Sequence, residues 1–242
     1  MSVELHNVTK RLGGGQRTLF ENVNLRVDIG ERLGILGQPK SGKSTLLRLI
    51  CGTEFNAEGI ILRNSTVSWP IPFGDFLVAS STVATNIRFI GRLYGVGEGD
   101  FAQKIGELAG VTEFLNEELA ACPPHVRVQL TFALGVGTDF DIYLFDENIA
   151  PGKKEFKEKA LGIVQALTPR HGIVLATTVP KDITTYCDTV FVLDDGHAIH
   201  YENVDEGIKH YKSLSQDAAS ERVERPARVE QLPEEIDGVL GI

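Results

Sequence analysis

The stretch LGILGQPKSGKST, residues 33–45, constrains the fold more than any other part of the chain. Within it, Gly37, Gly42, Lys43 and Ser44 satisfy the spacing G-x-x-x-x-G-K-[ST]. A short apolar run precedes the motif, and the apolar residues after it recur with the spacing of a helix. A buried strand, a glycine-rich turn and a helix therefore follow one another, which is the local arrangement of an α/β fold.

The motif also predicts the chemistry of this turn. Its successive backbone N–H groups can wrap a phosphate, and glycine is needed where a side chain would collide with the anion. The helix that begins at Gly42 and Lys43 directs the positive end of its dipole at the same anion. We expect Lys43 to reach the terminal phosphates and the Ser44 hydroxyl to bind magnesium. The residues assigned to nucleotide binding are Gly37, Gln38, Pro39, Lys40, Ser41, Gly42, Lys43, Ser44 and Thr45.

An acidic pair, Asp146 and Glu147, follows a compact apolar run at residues 142–145. Such a run is typical of a buried parallel strand, and ligands of open α/β sheets bind at the carboxyl ends of strands. An acidic pair at a strand end is by itself more often part of an ordinary loop. Beside a phosphate loop, it indicates that Asp146 holds magnesium through water and that Glu147 orients or deprotonates an attacking water.

The rest of the chain follows an α/β rhythm with a helical insert. Alternating patterns predict strands at 3–8 and 23–27 with a glycine turn at 13–15 between them, and Gly52 is expected to end the first helix. Short strands are predicted at 60–62 and 66–69, followed by a Pro/Gly loop at 70–74. The pattern is mostly helical over 83–137, with breaks at 95–99, 110 and 123–124. A helix at 153–167, a strand at 173–177, a short helix, a strand at 189–193 and a turn at Gly196 follow.

Composition excludes several classes of function. The net charge of -9 argues against a nucleic-acid partner, which needs clustered Lys and Arg. The three cysteines have no CxxC or metal-ligand spacing, so a reducing cytosolic compartment is expected. No signal-like start or membrane-spanning apolar stretch occurs, and any membrane role is expected to come through a partner. After residue 214 the sequence becomes polar and charged, which predicts a mobile tail over 214–242 with a weakly docking end at 239–242.

Together, the phosphate loop, the helical insert and the strand ending in Asp-Glu resemble the nucleotide-binding subunit of an ABC transporter, over about residues 1–213. Within that family, four segments are similar to the ATPases of capsular-polysaccharide and O-antigen export: SWP at 68–70, TNIRFIGRLYG at 85–95, FKEKA at 156–160, and the segment CDTVFVLDDGHAIHYENVDEGIKHYK that begins at Cys187. The resemblance implies a P-loop NTPase of the ABC ATPase type. Its core sheet is expected to be mostly parallel, with an N-terminal antiparallel β-subdomain and a helical subdomain at about 76–137.

The resemblance further implies ATP and Mg²⁺ as ligands and an integral-membrane permease as a partner. Two nucleotide-binding subunits, identical or one of them a complete paralogue, would sit beneath the permease at the cytoplasmic face of the inner membrane. The helical segment at about 76–95 would face the membrane spans, and the exported molecule would be a lipid-linked glycan. Leu12 lies where the family has an aromatic residue that stacks on adenine, so we expect only an apolar contact there.

The chain departs from the family's pattern at four further positions. The LSGGQ-type signature falls on residues 123–126, which read PPHV and supply neither its serine nor its glycine. The switch histidine falls on Val179, the glutamine of the Q-loop falls near Leu77 or Val78, and an acid a few residues past Glu147 is replaced by Lys153.

These departures predict nucleotide binding with impaired hydrolysis. Each missing group would stabilise charge on the transferring phosphate, and losing one such group typically slows the reaction by about 10²–10³, although such losses are not simply additive. The leading reading is an ATP-binding subunit of a polysaccharide exporter. The alternative is a nucleotide-binding regulatory or scaffold protein that is not part of a transporter, and a P-loop small-molecule kinase is a weak third reading.

Overall fold

A computed structural model describes residues 1–13, 17–72, 74–96 and 98–224. Its strands are β1 Ser2–Leu12, β2 Arg17–Asp28, β3 Arg32–Gly37, β4 Ala57–Arg63, β5 Val67–Ile71, β6 Ile142–Asp146, β7 Gly172–Thr177, β8 Thr189–Asp194 and β9 His197–Tyr201. Its helices are α1 Lys43–Cys51, α2 Val83–Leu93, α3 Glu98–Ala109, α4 Pro124–Gly137, α5 Lys154–Leu167, α6 Pro180–Tyr186 and α7 Val204–Glu224.

The described strands form two sheets. A three-stranded antiparallel sheet has the order β2-β1-β4, and a six-stranded sheet has the order β5-β6-β7-β3-β8-β9. All neighbours in the larger sheet are parallel except β8 and β9. The predicted α/β class, with a mostly parallel core sheet and a separate N-terminal antiparallel sheet, is therefore confirmed.

The larger sheet is covered on both faces, which explains its continuous apolar strands. Along β6, Tyr143 and Phe145 belong to a core cluster shared with α2, α3 and α4, whereas Ile142 and Leu144 belong to a second cluster shared with α1, β1 and β2. Successive side chains of a strand point to opposite faces. A strand buried on both faces therefore carries no polar alternation.

The helical insert lies between β5 and β6 and is interrupted at the three predicted places, but two of the interruptions differ in length. The stretch between 110 and 123 was predicted to be helical and contains only the short 3-10 helix Thr112–Phe114. α2 ends at Leu93, α3 ends before Gly110 at a φ of +67°, and α4 begins at Pro124. α3 already begins at Glu98, so the break predicted at 95–99 is shorter than expected. Glycine alone did not stop the helix there, because propensity is a weak prior beside tertiary packing.

Two further sequence predictions change in detail. Pro70 was predicted to begin a loop, but it lies in β5 and pairs with Leu144. A proline is tolerated there because β5 is an edge strand and one side of its backbone needs no ladder hydrogen bond. At the C-terminus, α7 continues past the predicted boundary at 214 to Glu224. Residues 225–242 lie outside the described residues, so the polar tail stays a prediction, as does the glycine turn at 14–15.

The described helices also bear on the question of a membrane. None of the helices within the described ranges combines the length and the apolar composition that a bilayer-spanning segment requires.

Two glycines allow a test of the packing between the sheets. A Cβ at Gly172, at the start of β7, would lie 2.8 Å from the Asp28 carbonyl oxygen and 3.0 Å from Cγ1 of Ile142. We expect Gly172→Ala to lower the free energy of unfolding by about 1–3 kcal/mol, because backbone atoms must shift. The matched variant Gly162→Ala, inside α5 with nothing within 4 Å of the added Cβ, should raise it by roughly 0.5–1 kcal/mol. Urea denaturation measures both values, and equal stability of Gly172→Ala and the unchanged chain would contradict this account.

Candidate nucleotide-binding site

The turn between β3 and α1 needs glycine at both predicted positions. Gly42 precedes α1 with a φ of +106°, and a Cβ there would lie 2.8 Å from Cγ of Leu19. A Cβ at Gly37 would lie 2.5 Å from Oγ of Ser41. The loop is thus packed too closely for side chains at these two positions, and its backbone amides stand at the start of α1 as an anion site requires.

Lys43 folds back over the loop that it follows. Its ammonium nitrogen donates to the carbonyl oxygens of Gly37 at 3.0 Å and Gln38 at 3.2 Å, and it lies 3.2 Å from Oε1 of Glu147. The side chain is only 5% exposed. A buried ammonium must be paired or hydrogen-bonded, and this one has an acidic partner that a phosphate would have to replace.

The register of the sheet brings the acidic pair to the phosphate loop. Asp146, at the end of β6, is level with Ala176 on β7, and Ala176 is level with Ile35 on β3. The carboxyl ends of β6, β7 and β3 therefore meet at one edge of the sheet, where ligands of such folds bind.

The residues predicted to hold magnesium fit that ion. Burial raises the pKa of the Asp146 carboxyl, and a hydrogen bond from Ser44 opposes the shift. Oδ1 of Asp146 is buried without a hydrogen-bond partner in the described residues. A buried acceptor in that state calls for a donor or a cation, and a carboxylate next to a hydroxyl is the oxygen ligand set that Mg²⁺ prefers when phosphates supply the rest.

Glu147 is held in an unusual backbone conformation. Its φ is +64°, in the left-handed region that non-glycine residues seldom adopt, and its N–H donates to the Ala176 carbonyl at 2.7 Å. Its Oε2 accepts from the N–H of Thr178 at 3.0 Å and from the Thr178 hydroxyl at 3.2 Å. With Oε1 beside Lys43, both carboxylate oxygens are engaged.

An open groove of about 480 Å³ runs along the loop. Most of the predicted binding residues line it: Leu12, Pro39, Lys40, Gly42, Lys43, Ser44 and Thr45, together with Glu147. Gly37, Gln38, Ser41 and Asp146 do not line it. The hydroxyl of Ser41 is buried, and no residue within the described ranges forms a hydrogen bond with it. Arg17 and Leu19 also line the groove and were not predicted. The only signal in the sequence was their position just after the turn that follows Leu12, with which Arg17 pairs.

The side-chain contact with Glu147 falls one residue before the position predicted for the switch histidine. Val179 was taken to stand where the family has its switch histidine, but the side chain that contacts Glu147 is Thr178. Val179 is largely exposed, and its N–H donates to Oγ1 of Thr177 at 3.0 Å. β7 ends at Thr177 and Pro180 begins α6, so the side chain after the strand end faces Glu147. The residue that contacts Glu147 after the strand end is therefore a hydroxyl donor.

The residues at the other three departures from the family's pattern lie away from the groove. Pro123 precedes α4 and Pro124 begins it, with no side-chain cap on the helix. Leu77 is buried, while the backbone of Val78 is bound in both directions by the amide of Asn86. Lys153 immediately precedes α5. None of these side chains lines the groove beside the phosphate loop.

The sequence of this chain is similar to a known protein family and to several of its members. The family model for the ABC transporter domain matches residues 20–92. The chain is 34% identical to ATP-binding protein BexA of Haemophilus influenzae, over 86% of this chain and 97% of that protein. It is 33% identical to the capsule polysaccharide export ATP-binding protein CtrD of Neisseria meningitidis, over 88% and 99% respectively. It is 30% identical to the polysialic acid transport ATP-binding protein KpsT of Escherichia coli, over 87% and 96%.

A solved ATP-binding subunit of an ABC transporter has a similar fold. It superposes with a TM-score of 0.75 at 18% sequence identity, covering 93% of this chain and 100% of the other. At this identity the likeness speaks for the fold alone.

Arg17 provides a test of the groove. Arg17→Ala should weaken the binding of MgATP by about three- to tenfold, because a cation near a polyanion contributes on the order of 1 kcal/mol in solvent. Arg17→Lys, which keeps the charge, should bind nearly as well as the unchanged chain. Titration with a fluorescent ATP analogue at two salt concentrations measures this, and an Arg17→Ala affinity equal to that of the unchanged chain at low salt would remove Arg17 from the site.

Proposed function

This chain belongs to the ABC transporter ATP-binding family, and we propose that it is the ATP-binding subunit of an exporter of capsular or other cell-surface polysaccharide. Support for the polysaccharide comes from its relatives, two of which are named for the export of capsule polysaccharide and the transport of polysialic acid. These relatives align along nearly their whole length, so the similarity is not restricted to the phosphate loop.

One observation carries the nucleotide-binding part of the proposal. The phosphate loop, the Lys43 ammonium and the Ser44–Asp146 pair converge beside an open groove. The loop amides would cradle the phosphates. Lys43 would exchange its contacts with Glu147 and two carbonyl groups for the β- and γ-phosphates, which releases one oxygen of Glu147.

The residues present would support only slow hydrolysis. Ser44 and Asp146 would hold Mg²⁺, which when bound neutralises charge on the phosphates. Glu147 would accept the proton of a water positioned at the γ-phosphate. Thr178 leaves a short hydroxyl where the family has an imidazole, and residues 123–126 offer no serine or glycine to a partner subunit's nucleotide. Losing one such donor typically slows the reaction by about 10²–10³.

The proposed membrane partner would contact α2. Phe89 and Leu93, four residues apart on this helix, are both more than half exposed, and Arg88 and Arg92 lie on the same exposed surface. We take this pair of neighbouring exposed apolar side chains as the surface that the membrane partner would cover. Through this contact the subunit would lie at the cytoplasmic face of the inner membrane, as a homodimer or beside a complete paralogue, and with no nucleic-acid partner.

A second candidate function follows from Pro123 and Pro124. Neither has an amide hydrogen, so a subunit that presents them across a dimer contact is deficient in the chemistry of hydrolysis. The fold and groove could instead serve a nucleotide-sensing scaffold outside any transporter. Isolation of the chain with a multi-span membrane protein favours the exporter, and isolation with only soluble partners favours the scaffold.

Nucleotide binding and turnover test the first candidate together. We expect MgATP to bind the unchanged chain, and Lys43→Ala to lose about tenfold or more of that affinity, since hydrogen bonds to charged groups contribute about 1.5–3 kcal/mol. Phosphate release should be slow even with the membrane partner present. Glu147→Gln serves as the control because it keeps the size of the side chain. Rapid turnover that this control abolishes would show that hydrolysis is intact, and absence of MgATP binding would overturn the function itself.

A double substitution tests the membrane contact. Phe89→Asp with Leu93→Asp should abolish co-purification with the membrane partner, because two charges cannot be buried in an apolar contact, and should leave MgATP affinity unchanged. Ile60→Asp on β4, which is as exposed as Phe89, is the matched control and should keep the partner. Equal recovery of the partner with both variants would exclude α2 as the contact.

A further inference from the structure

The last described helix, α7, is firmly seated on the carboxyl-terminal strands of the large sheet. A Cβ at Gly207 would lie 2.4 Å from Cγ1 of Val190 on β8 and 3.2 Å from the ring of Tyr201 on β9. His210 carries Nδ1 at 3.1 Å from the Tyr201 hydroxyl and Nε2 at 3.9 Å from Oδ2 of Asp194. The close approach at Gly207 and these polar contacts fix the helix on the sheet.

From this seat, Tyr211 reaches the nucleotide site. Its side chain is 6% exposed, and its hydroxyl donates to the carbonyl oxygen of Thr178 at 3.1 Å. Burial raises the pKa of the Tyr211 hydroxyl, and the negative charge of Glu147 raises it further. The hydroxyl therefore keeps its proton at neutral pH and remains a donor.

Thr178 forms hydrogen bonds through its carbonyl oxygen, its N–H and its hydroxyl. Its carbonyl accepts from Tyr211, while its N–H and its hydroxyl both donate to Oε2 of Glu147. Glu147, in turn, touches the Lys43 ammonium with its other oxygen. An unbroken series of contacts thus runs from α7 through one residue to the candidate general base.

The backbone conformation of Glu147 makes its orientation dependent on the contact with Thr178. A non-glycine residue at a φ of +64° is held by its surroundings rather than by its own preference. Three contacts hold it among the described residues. Its N–H donates to the Ala176 carbonyl, Thr178 donates to its Oε2, and the Lys43 ammonium lies 3.2 Å from its Oε1. The second contact depends on where Thr178 sits, and the orientation of a general base relative to its water controls its rate.

We propose that Tyr211 is a positioning residue for Glu147 and acts through Thr178. The position of α7 on the sheet then controls the orientation of the Glu147 carboxylate, the candidate general base. The proposal rests on the ATP site described above. Tyr211 itself touches no nucleotide and takes no part in proton transfer. Its role predicts an effect on the rate of hydrolysis that is separate from the affinity for nucleotide.

The first test needs no nucleotide. The full chain carrying Tyr211→Phe is compared with the full chain carrying Tyr201→Phe. The control also loses a phenol hydroxyl, but that hydroxyl contacts His210 of α7 and not Thr178. The readout is amide hydrogen exchange at Thr178, whose N–H is donated to Glu147. We expect exchange about fivefold faster in Tyr211→Phe, as for the loss of one hydrogen bond of ordinary strength. Tyr201→Phe should change it less, because it removes one of several contacts that hold α7 and leaves the bond from Tyr211 to Thr178 in place. Equal exchange in the two variants would overturn the proposal.

The second test measures cleavage of MgATP in a single turnover, with protein in excess so that slow rates are resolved. Tyr211→Phe should cleave about three- to tenfold more slowly, with an unchanged Kd for MgATP. Thr178→Val should behave in the same way, and Thr178→Ser, which restores the hydroxyl, should recover most of the rate. In a Glu147→Gln background, Tyr211→Phe should have no further effect.

Three outcomes of this second test count against the proposal. They are an unchanged rate in Tyr211→Phe, an equal loss in the Glu147→Gln background, and an unchanged chain that cleaves no faster than Glu147→Gln. Thermal denaturation identifies a Tyr211→Phe chain that is not folded, in which case Thr178→Val and Thr178→Ser decide. Failure to bind MgATP at all would instead refute the proposed function, and the exchange measurement would still report whether Tyr211 supports the contact between Thr178 and Glu147.

Discussion

The hydrogen-bonded register of three neighbouring strands fixes the nucleotide site. Because β7 pairs with β6 on one side and β3 on the other, the end of β6 and the start of the phosphate loop reach the same level. This register brings Asp146 and Glu147, at the end of β6, close to the Lys43 ammonium, which follows β3. Other elements then add to this edge: the antiparallel sheet contributes Leu12, Arg17 and Leu19 to the groove, and the last helix contributes the contact of Tyr211 with Thr178.

Groups of the chain itself pair the Lys43 ammonium. Lys43 is nearly inaccessible, and two carbonyl groups and Glu147 meet its hydrogen bonds. A phosphate therefore competes with contacts that are already made, and the affinity that can be observed is the difference between two sets of interactions. Oδ1 of Asp146 is buried and has no hydrogen-bond partner among the described residues. A cation bound there would supply the partner that this oxygen needs.

The sequence predicted the parts of this structure that depend on short stretches of chain. A phosphate loop between an apolar strand and a helix, an acidic pair after a second apolar run, and the glycine that ends α1 are local features that neighbouring residues determine. Thr178, Arg17 and Tyr211 could not be found in this way. Each of them is relevant only through a contact with a residue distant in sequence or across a turn. Strand pairing brings Thr178 to Glu147 and Arg17 to Leu12, and the packing of α7 on the sheet brings Tyr211 to Thr178. Pro70 was misread for a related reason, since its tolerance depends on the position of β5 at the edge of the sheet. The roles assigned to the loop residues, Asp146 and Glu147 stay predictions.

The start of α4 links the geometry of a helix entry to its capacity for hydrogen bonding. Pro123 and Pro124 fix the backbone angle at which the chain enters the helix, and neither has an amide hydrogen to donate. Replacing one of them yields at most a single additional donor and at the same time loosens the entry into the helix. A rigid backbone at this helix start and a supply of amide donors therefore exclude each other at these two positions.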